Sequence, residues 1–127
     1  MYKLSLKSRE RLEGINPILI KIVEAAIVDS PFDFGIPQFG GLRTAEDQKS
    51  LFDKGVSRCD GYKHKSYHQS GNAFDIYAYV DGRASWDVDH LSAIADHIIC
   101  VAQEQFSVEL EWGGNWKTFV DLPHFQI

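Results

Sequence analysis

The stretch from Asn72 to Val80 restricts the fold more than any other. It sets Phe74, Ile76, Ala78 and Val80 on one side of a strand, and Ala73, Asp75, Tyr77 and Tyr79 on the other. A strand with one wholly apolar side must lay that side against a covering layer, and the chain supplies two amphipathic helices for it. Asn16-Pro17 reads as an N-cap and a first-turn proline, after which Ile18, Ile22, Ala25 and Ala26 recur at helical spacing until Ser30-Pro31. From Asp87 to Gln105 a second stripe runs through Val88, Leu91, Ile94, Ala95, Ile98 and Ala102. The expected architecture is α+β, with helices packed on a small, mainly antiparallel sheet.

Shorter signals fill in the rest. Arg9 to Glu13 reads as a short helical turn. Phe32 to Phe39 alternates but is broken by Gly35 and Pro37, which predicts an edge or irregular strand. Thr44 with Asp47 three residues on resembles a capping box, followed by helical spacing through Ala45, Gln48, Leu51 and Phe52 to Gly55. Val56 to Ser70 is polar and loop-like. Asp81-Gly82 signals a tight turn, so Arg83 to Trp86 is expected to pair back as a hairpin arm. Ser107 to Trp112 reads as a strand ended by Gly113-Gly114, and Leu122 to Ile127 as a last short strand.

Size and composition bound what this fold can carry. A chain of 127 residues is expected to form one domain, residues 1–127, with no room for a second folded targeting domain. Its 44% hydrophobic and 24% charged residues match a globular protein rather than a disordered or fibrous one. The net charge of -5, with no basic cluster interleaved with aromatics, argues against a nucleic-acid partner. The charged N-terminus lacks the apolar stretch of a signal peptide, and the apolar run from Ile18 to Ile27 is too short for a membrane span. A cytoplasmic protein without membrane insertion is expected. Cys59 and Cys100 are expected as free thiols.

The chemistry concentrates in three residues. His68 lies before a Gly71 turn that opens the central strand, Asp75 sits early in that strand off its apolar side, and His124 lies in the last strand. Two imidazoles and a carboxylate are the donor set of a catalytic zinc site. Such a site leaves a fourth position for water, whose pKa then falls to about 7. Asp121, three residues before His124, is placed to manage that water's proton, or else to bond a turn or orient an imidazole. Two other metal readings compete. His64 and His68 are four apart, as in the His-Glu-x-x-His proteases, but Lys65 stands where the glutamate belongs and glycines disfavour a helix. Cys59 with His64 and His68 would suggest a thiolate site or a cysteine nucleophile, yet no second cysteine lies nearby. His90 and His97 read as decoration on a solvated helix face, and Trp86, Trp112 and Trp116 as core or site wall.

The strings Ser66-x-His68-x-x-Gly71-x-Ala73-x-Asp75, Trp112-Gly113-Gly114-Asn115-Trp116 with Asp121-Leu122-Pro123-His124-Phe125, and Gly41-x-Arg43-Thr44 with Gln48 resemble the phage-type L-alanyl-D-glutamate endopeptidases. These are peptidoglycan-cutting endolysins related to the zinc D-Ala-D-Ala carboxypeptidases and dipeptidases. The resemblance runs from about Asn16 to the C-terminus, with all three blocks in the family order. It implies a zinc D-Ala-D-Ala peptidase-like fold, one Zn2+ per chain on His68, Asp75 and His124, Asp121 as catalytic acid/base, and Arg43 stabilising the oxyanion. Gln48 and Ser66 match positions that line the substrate site. Arg43 also has a plain reading as a surface arginine paired with Glu46 or Asp47. The implied partner is a peptidoglycan stem peptide, cut by a monomer held in the host cytoplasm until the membrane opens. The alternatives are a zinc D-Ala-D-Ala carboxypeptidase or dipeptidase, and a non-catalytic wall-binding module.

Overall fold

The structure, a computed structural model, describes all 127 residues. Four helices, α1 (Leu6–Arg11), α2 (Pro17–Val28), α3 (Ala45–Asp53) and α4 (Val88–Phe106), alternate with six short strands, β1 (Asp33–Gly35), β2 (Ala73–Asp75), β3 (Tyr77–Val80), β4 (Arg83–Ser85), β5 (Glu111–Trp112) and β6 (His124–Gln126). Local chemistry accounts for the helix starts. The side chain of Asn16 caps α2 ahead of Pro17, and Thr44 and Asp47 form the reciprocal capping box at α3. Asp87 caps α4 by accepting from the Asp89 N–H. The first helix differs from expectation, starting earlier because Ser5 supplies its N-cap.

The strands form two antiparallel sheets of three, ordered β1-β3-β4 and β2-β6-β5. The expected single strand over residues 72–80 is therefore two. Residues 73–75 pair with β6, and residues 77–80 pair with β1 and β4. The hand-over falls at Ile76, whose N–H goes to the Pro123 carbonyl at 3.0 Å. The apolar side nevertheless stays inward: Phe74, Ile76 and Ala78 are fully buried and lie in one core cluster with the inward residues of α2 and α4. Phe74 and Phe125, opposite each other in register, stack with ring centroids 5.0 Å apart.

Three further expectations need correcting. Val88, placed in the α4 stripe by periodicity, is exposed in the helix's first turn, whereas Leu91, Ile94, Ala95, Ile98 and Ala102 are buried. The strand expected from Ser107 is only Glu111–Trp112, because Ser107 adopts φ 55° and spends its N–H on the α4 C-terminus. His90 and His97 are not solvated decoration. His97 Nε2 lies 2.8 Å from the Ala26 carbonyl, tying α4 to α2, and His90 Nδ1 lies 2.7 Å from Ser85 Oγ with its ring against Phe32.

Candidate metal centre and active site

Strand pairing itself brings two of the three donors together. In the β2–β6 ladder Asp75 stands directly opposite His124, so both side chains leave the same face. His68 arrives from a single 3-10 turn, Tyr67–Ser70, which Ser66 caps and Gly71 closes at φ 76° before the chain enters β2. His68 Nε2, His124 Nδ1 and Asp75 Oδ1 then form a nearly equilateral triangle, with sides of 3.2, 3.2 and 3.1 Å.

Those separations fit a metal. Ligand atoms about 2.0–2.2 Å from a tetrahedral zinc stand about 3.4 Å apart along each edge. The tautomers point the same way. His68 Nδ1 lies 2.9 Å from the Gly41 carbonyl and must donate to it, leaving Nε2 as a lone pair. His124 Nε2 lies 2.7 Å from Gln126 Oε1, which likewise leaves Nδ1 as a lone pair. Two neutral imidazoles and a carboxylate thus aim electron pairs at one point, an arrangement a divalent cation satisfies. Gly41 is required here because a Cβ would run into the Arg11 carbonyl.

When protons rather than a cation fill the space between the donors, electrostatics in the cluster follow from burial opposed by close partners. Burial works to raise the Asp75 carboxyl, but the charges and hydrogen bonds of His68 and His124 outweigh it and hold the group far below the carboxylate range. Burial works to lower His124, and its bond to Asp75 turns the balance upward. Asp121 is shifted up, first by burial and then by the nearby Asp75 charge, against the pull of His124, His68 and Arg43. A carboxyl raised in this way is better matched to proton transfer near neutrality.

Asp121 lines the same cleft as the three donors, a cavity of about 760 Å³. Its backbone is pinned there: its N–H donates to the Gly113 carbonyl at 3.0 Å, its own carbonyl accepts from His124, and a Cβ at Gly113 would collide with it. Orienting a ligand imidazole is not its task, since Gly41 and Gln126 hold the far nitrogens of both rings.

Arg43 does not pair with Glu46 or Asp47. Its Nη2 donates to Asp75 Oδ2 at 3.0 Å, Nη1 to Gln48 Oε1 at 3.1 Å and Nε to the Phe39 carbonyl at 2.7 Å, leaving one N–H on each terminal nitrogen for the cleft. Burial lowers its pKa, opposed by Asp75 and Asp121, which leaves a guanidinium still charged.

Gln48 sits elsewhere than expected. With 0% exposure it has no surface to offer a substrate, and lies behind Arg43, its amide nitrogen donating to Ser57 Oγ at 2.7 Å and the Cys59 carbonyl at 2.8 Å. Ser66 does line the cleft, although its hydroxyl caps the turn by accepting from the His68 N–H. His64 is exposed and outside the donor cluster; Cys59 lines the cleft without joining the donors.

Sequence reasoning missed Gln126 and Glu111. Gln126 Nε2 donates to Glu111 Oε2 at 3.1 Å, and the same oxygen accepts from Trp116 Nε1 at 2.8 Å. Trp116, whose ring lies 5.3 Å from that of His124, is thereby fixed as a cleft wall. The signal was the two-residue spacing from His124 to Gln126, which keeps both side chains on one face of a strand.

Comparison with known proteins matches this geometry to one family. The family model described as phage L-alanyl-D-glutamate peptidase matches residues 1–125. The L-alanyl-D-glutamate peptidase of Escherichia phage T5 is 28% identical over 121 residues, covering 94% of this chain and 85% of that protein. The crystal structure of the Serratia marcescens L-Ala D-Glu endopeptidase ChiX superposes with a TM-score of 0.83 at 34% identity, covering 96% of this chain and 86% of that one. The vancomycin resistance D,D-pentapeptidase VanY, solved with Zn(II), shares the fold at a TM-score of 0.58 and 18% identity, covering 99% of this chain and 79% of that one.

Proposed function

The chain belongs to the phage L-alanyl-D-glutamate peptidase family, and from that premise we infer that it is a zinc-dependent endopeptidase hydrolysing the L-Ala–D-Glu bond of peptidoglycan stem peptides. The observation that carries the reading is the triangle of donor atoms at 3.1–3.2 Å with both imidazole tautomers fixed from behind.

His68, Asp75 and His124 would hold the ion. Zinc bound there supplies Lewis-acid polarisation and brings the pKa of water in its open position to about 7. The other residues then have separable tasks. Asp121, kept in the cleft by Gly113 and raised in pKa, takes the proton of the attacking water and delivers it to the leaving amine. Arg43 turns its two free N–H groups toward the carbonyl oxygen as that oxygen becomes anionic, while its bonds to Asp75 and Gln48 fix the angle of approach. Trp116, anchored by Glu111, walls one side of the cleft and limits water at the reacting bond.

In this reading one catalytic domain, residues 1–127, works as a monomer. The enzyme gathers in the host cytoplasm and meets the wall once another factor opens the membrane; no helix is long and apolar enough to cross one.

Mass spectrometry of cell-wall peptides digested by the zinc-loaded protein tests the bond. New L-Ala carboxyl and D-Glu amino termini are expected. Release of D-Ala without them would replace the endopeptidase reading with a D-Ala-D-Ala peptidase one, and intact wall binding without any cleavage would favour a binding module.

A further inference from the structure

We propose that Arg58 forms a carboxylate subsite in the cleft, recognising the free carboxylate of the glutamate that follows the scissile bond. The proposal rests on the endopeptidase reading above. Glutamate carries two carboxyls; one extends the peptide, so the other stays free beside the bond to be cut.

Three observations point to Arg58. The chain is acidic overall, with a net charge of -5, yet its cleft gathers Arg58, Lys65 and Lys117, none of which pairs with a carboxylate of the protein. Such cations are available to an anionic ligand. Among them Arg58 is the one held in place: its guanidinium lies over the Phe119 ring, 5.3 Å from the centroid. Stacking occupies the face of the guanidinium and leaves its N–H edge free for a two-point bond to a carboxylate. Phe119 presents that platform from a backbone at φ 52°, a strained conformation for a bulky residue and one that structures retain mainly where it serves a site.

The third observation ties Arg58 to the reacting centre. The residues on either side of it, Ser57 and Cys59, are both bonded by the Gln48 amide nitrogen, while the Gln48 carbonyl oxygen accepts from Arg43 and Arg43 binds Asp75. One buried glutamine thus sets the segment carrying Arg58 in register with the oxyanion arginine and a metal donor. Lys65 also stands between bonded neighbours, His64 and Ser66, but neither its ammonium nor that of Lys117 rests on an aromatic ring, and both serve as general attraction.

The test compares two peptides holding the L-Ala–D-Glu bond, one with the glutamate's free carboxylate and one with that group as the carboxamide. Parent protein, Arg58→Gln, Lys65→Gln and Lys117→Gln are each loaded with zinc, and metal content confirms intact sites. The parent is expected to prefer the acid by about 10- to 100-fold in kcat/KM, the range of a charge-assisted hydrogen bond. Arg58→Gln should lose that preference through a raised KM for the acid at nearly unchanged kcat, and Lys65→Gln and Lys117→Gln should keep it. A preference retained in Arg58→Gln, or lost instead in either lysine variant, overturns the subsite while leaving the endopeptidase reading standing. Cleavage of neither peptide by the zinc-loaded parent overturns both.

Discussion

Asp121→Asn is expected to lower kcat by about 10²- to 10⁴-fold, the usual contribution of a positioned general acid–base, while zinc content and fold stay as in the parent. The substitution is close to isosteric and removes the ability to take up and release a proton together with the carboxylate's charge. Asp121 makes no bond to either ligand imidazole, because Gly41 and Gln126 hold those rings, so its loss should not loosen the metal. Rates on a defined stem peptide, read beside metal content, check this. Full kcat in Asp121→Asn would move the proton transfer to another group, and loss of zinc would make Asp121 part of the metal's support.

The second large effect is expected at Asp75, which is shared between two functions. One of its oxygens lies in the donor triangle and the other binds Arg43. Asp75→Ala should abolish stoichiometric zinc binding, as His68→Ala should, but only Asp75→Ala also strips a largely buried arginine of its counter-ion. Breaking a buried pair from one side costs about 3–5 kcal/mol. With chelator present, so that metal contributes to neither, the melting temperature of Asp75→Ala should therefore fall clearly below that of His68→Ala. Equal melting temperatures would mean that Arg43 finds another partner and that Asp75 serves the metal alone.

How much of this was readable in the chain depends on how local each feature is. The Asn16-Pro17 start and the Thr44–Asp47 capping box are set within a few residues, and the structure has both. Burial of Phe74, Ile76 and Ala78 followed from alternation alone. The break at Ile76 did not, because it is decided by which distant strand each half meets, β6 about 50 residues later for residues 73–75 and β1 about 45 residues earlier for residues 77–79. The site shows the same division. Local motifs pointed to His68, Asp75, Asp121 and His124 as one group, and the cleft brings them together. The supports behind them were hidden: the Gly41 carbonyl on His68 and the burial of Gln48 arise from segments that meet only in the folded chain. Gln48 illustrates the limit well, since a polar residue at a helical position reads as a surface or cleft group until its burial and its three hydrogen bonds are seen.

The claim on which the rest depends is that the donor triangle holds a single catalytic zinc. Titrating the chelated protein with Zn2+ while following cleavage of an L-Ala–D-Glu peptide tests it directly. Turnover should be absent without metal, rise linearly with added zinc and level off at about one equivalent per chain, as three protein ligands around one open position require. Turnover that persists in chelator, or that demands a second equivalent before it appears, would contradict the account.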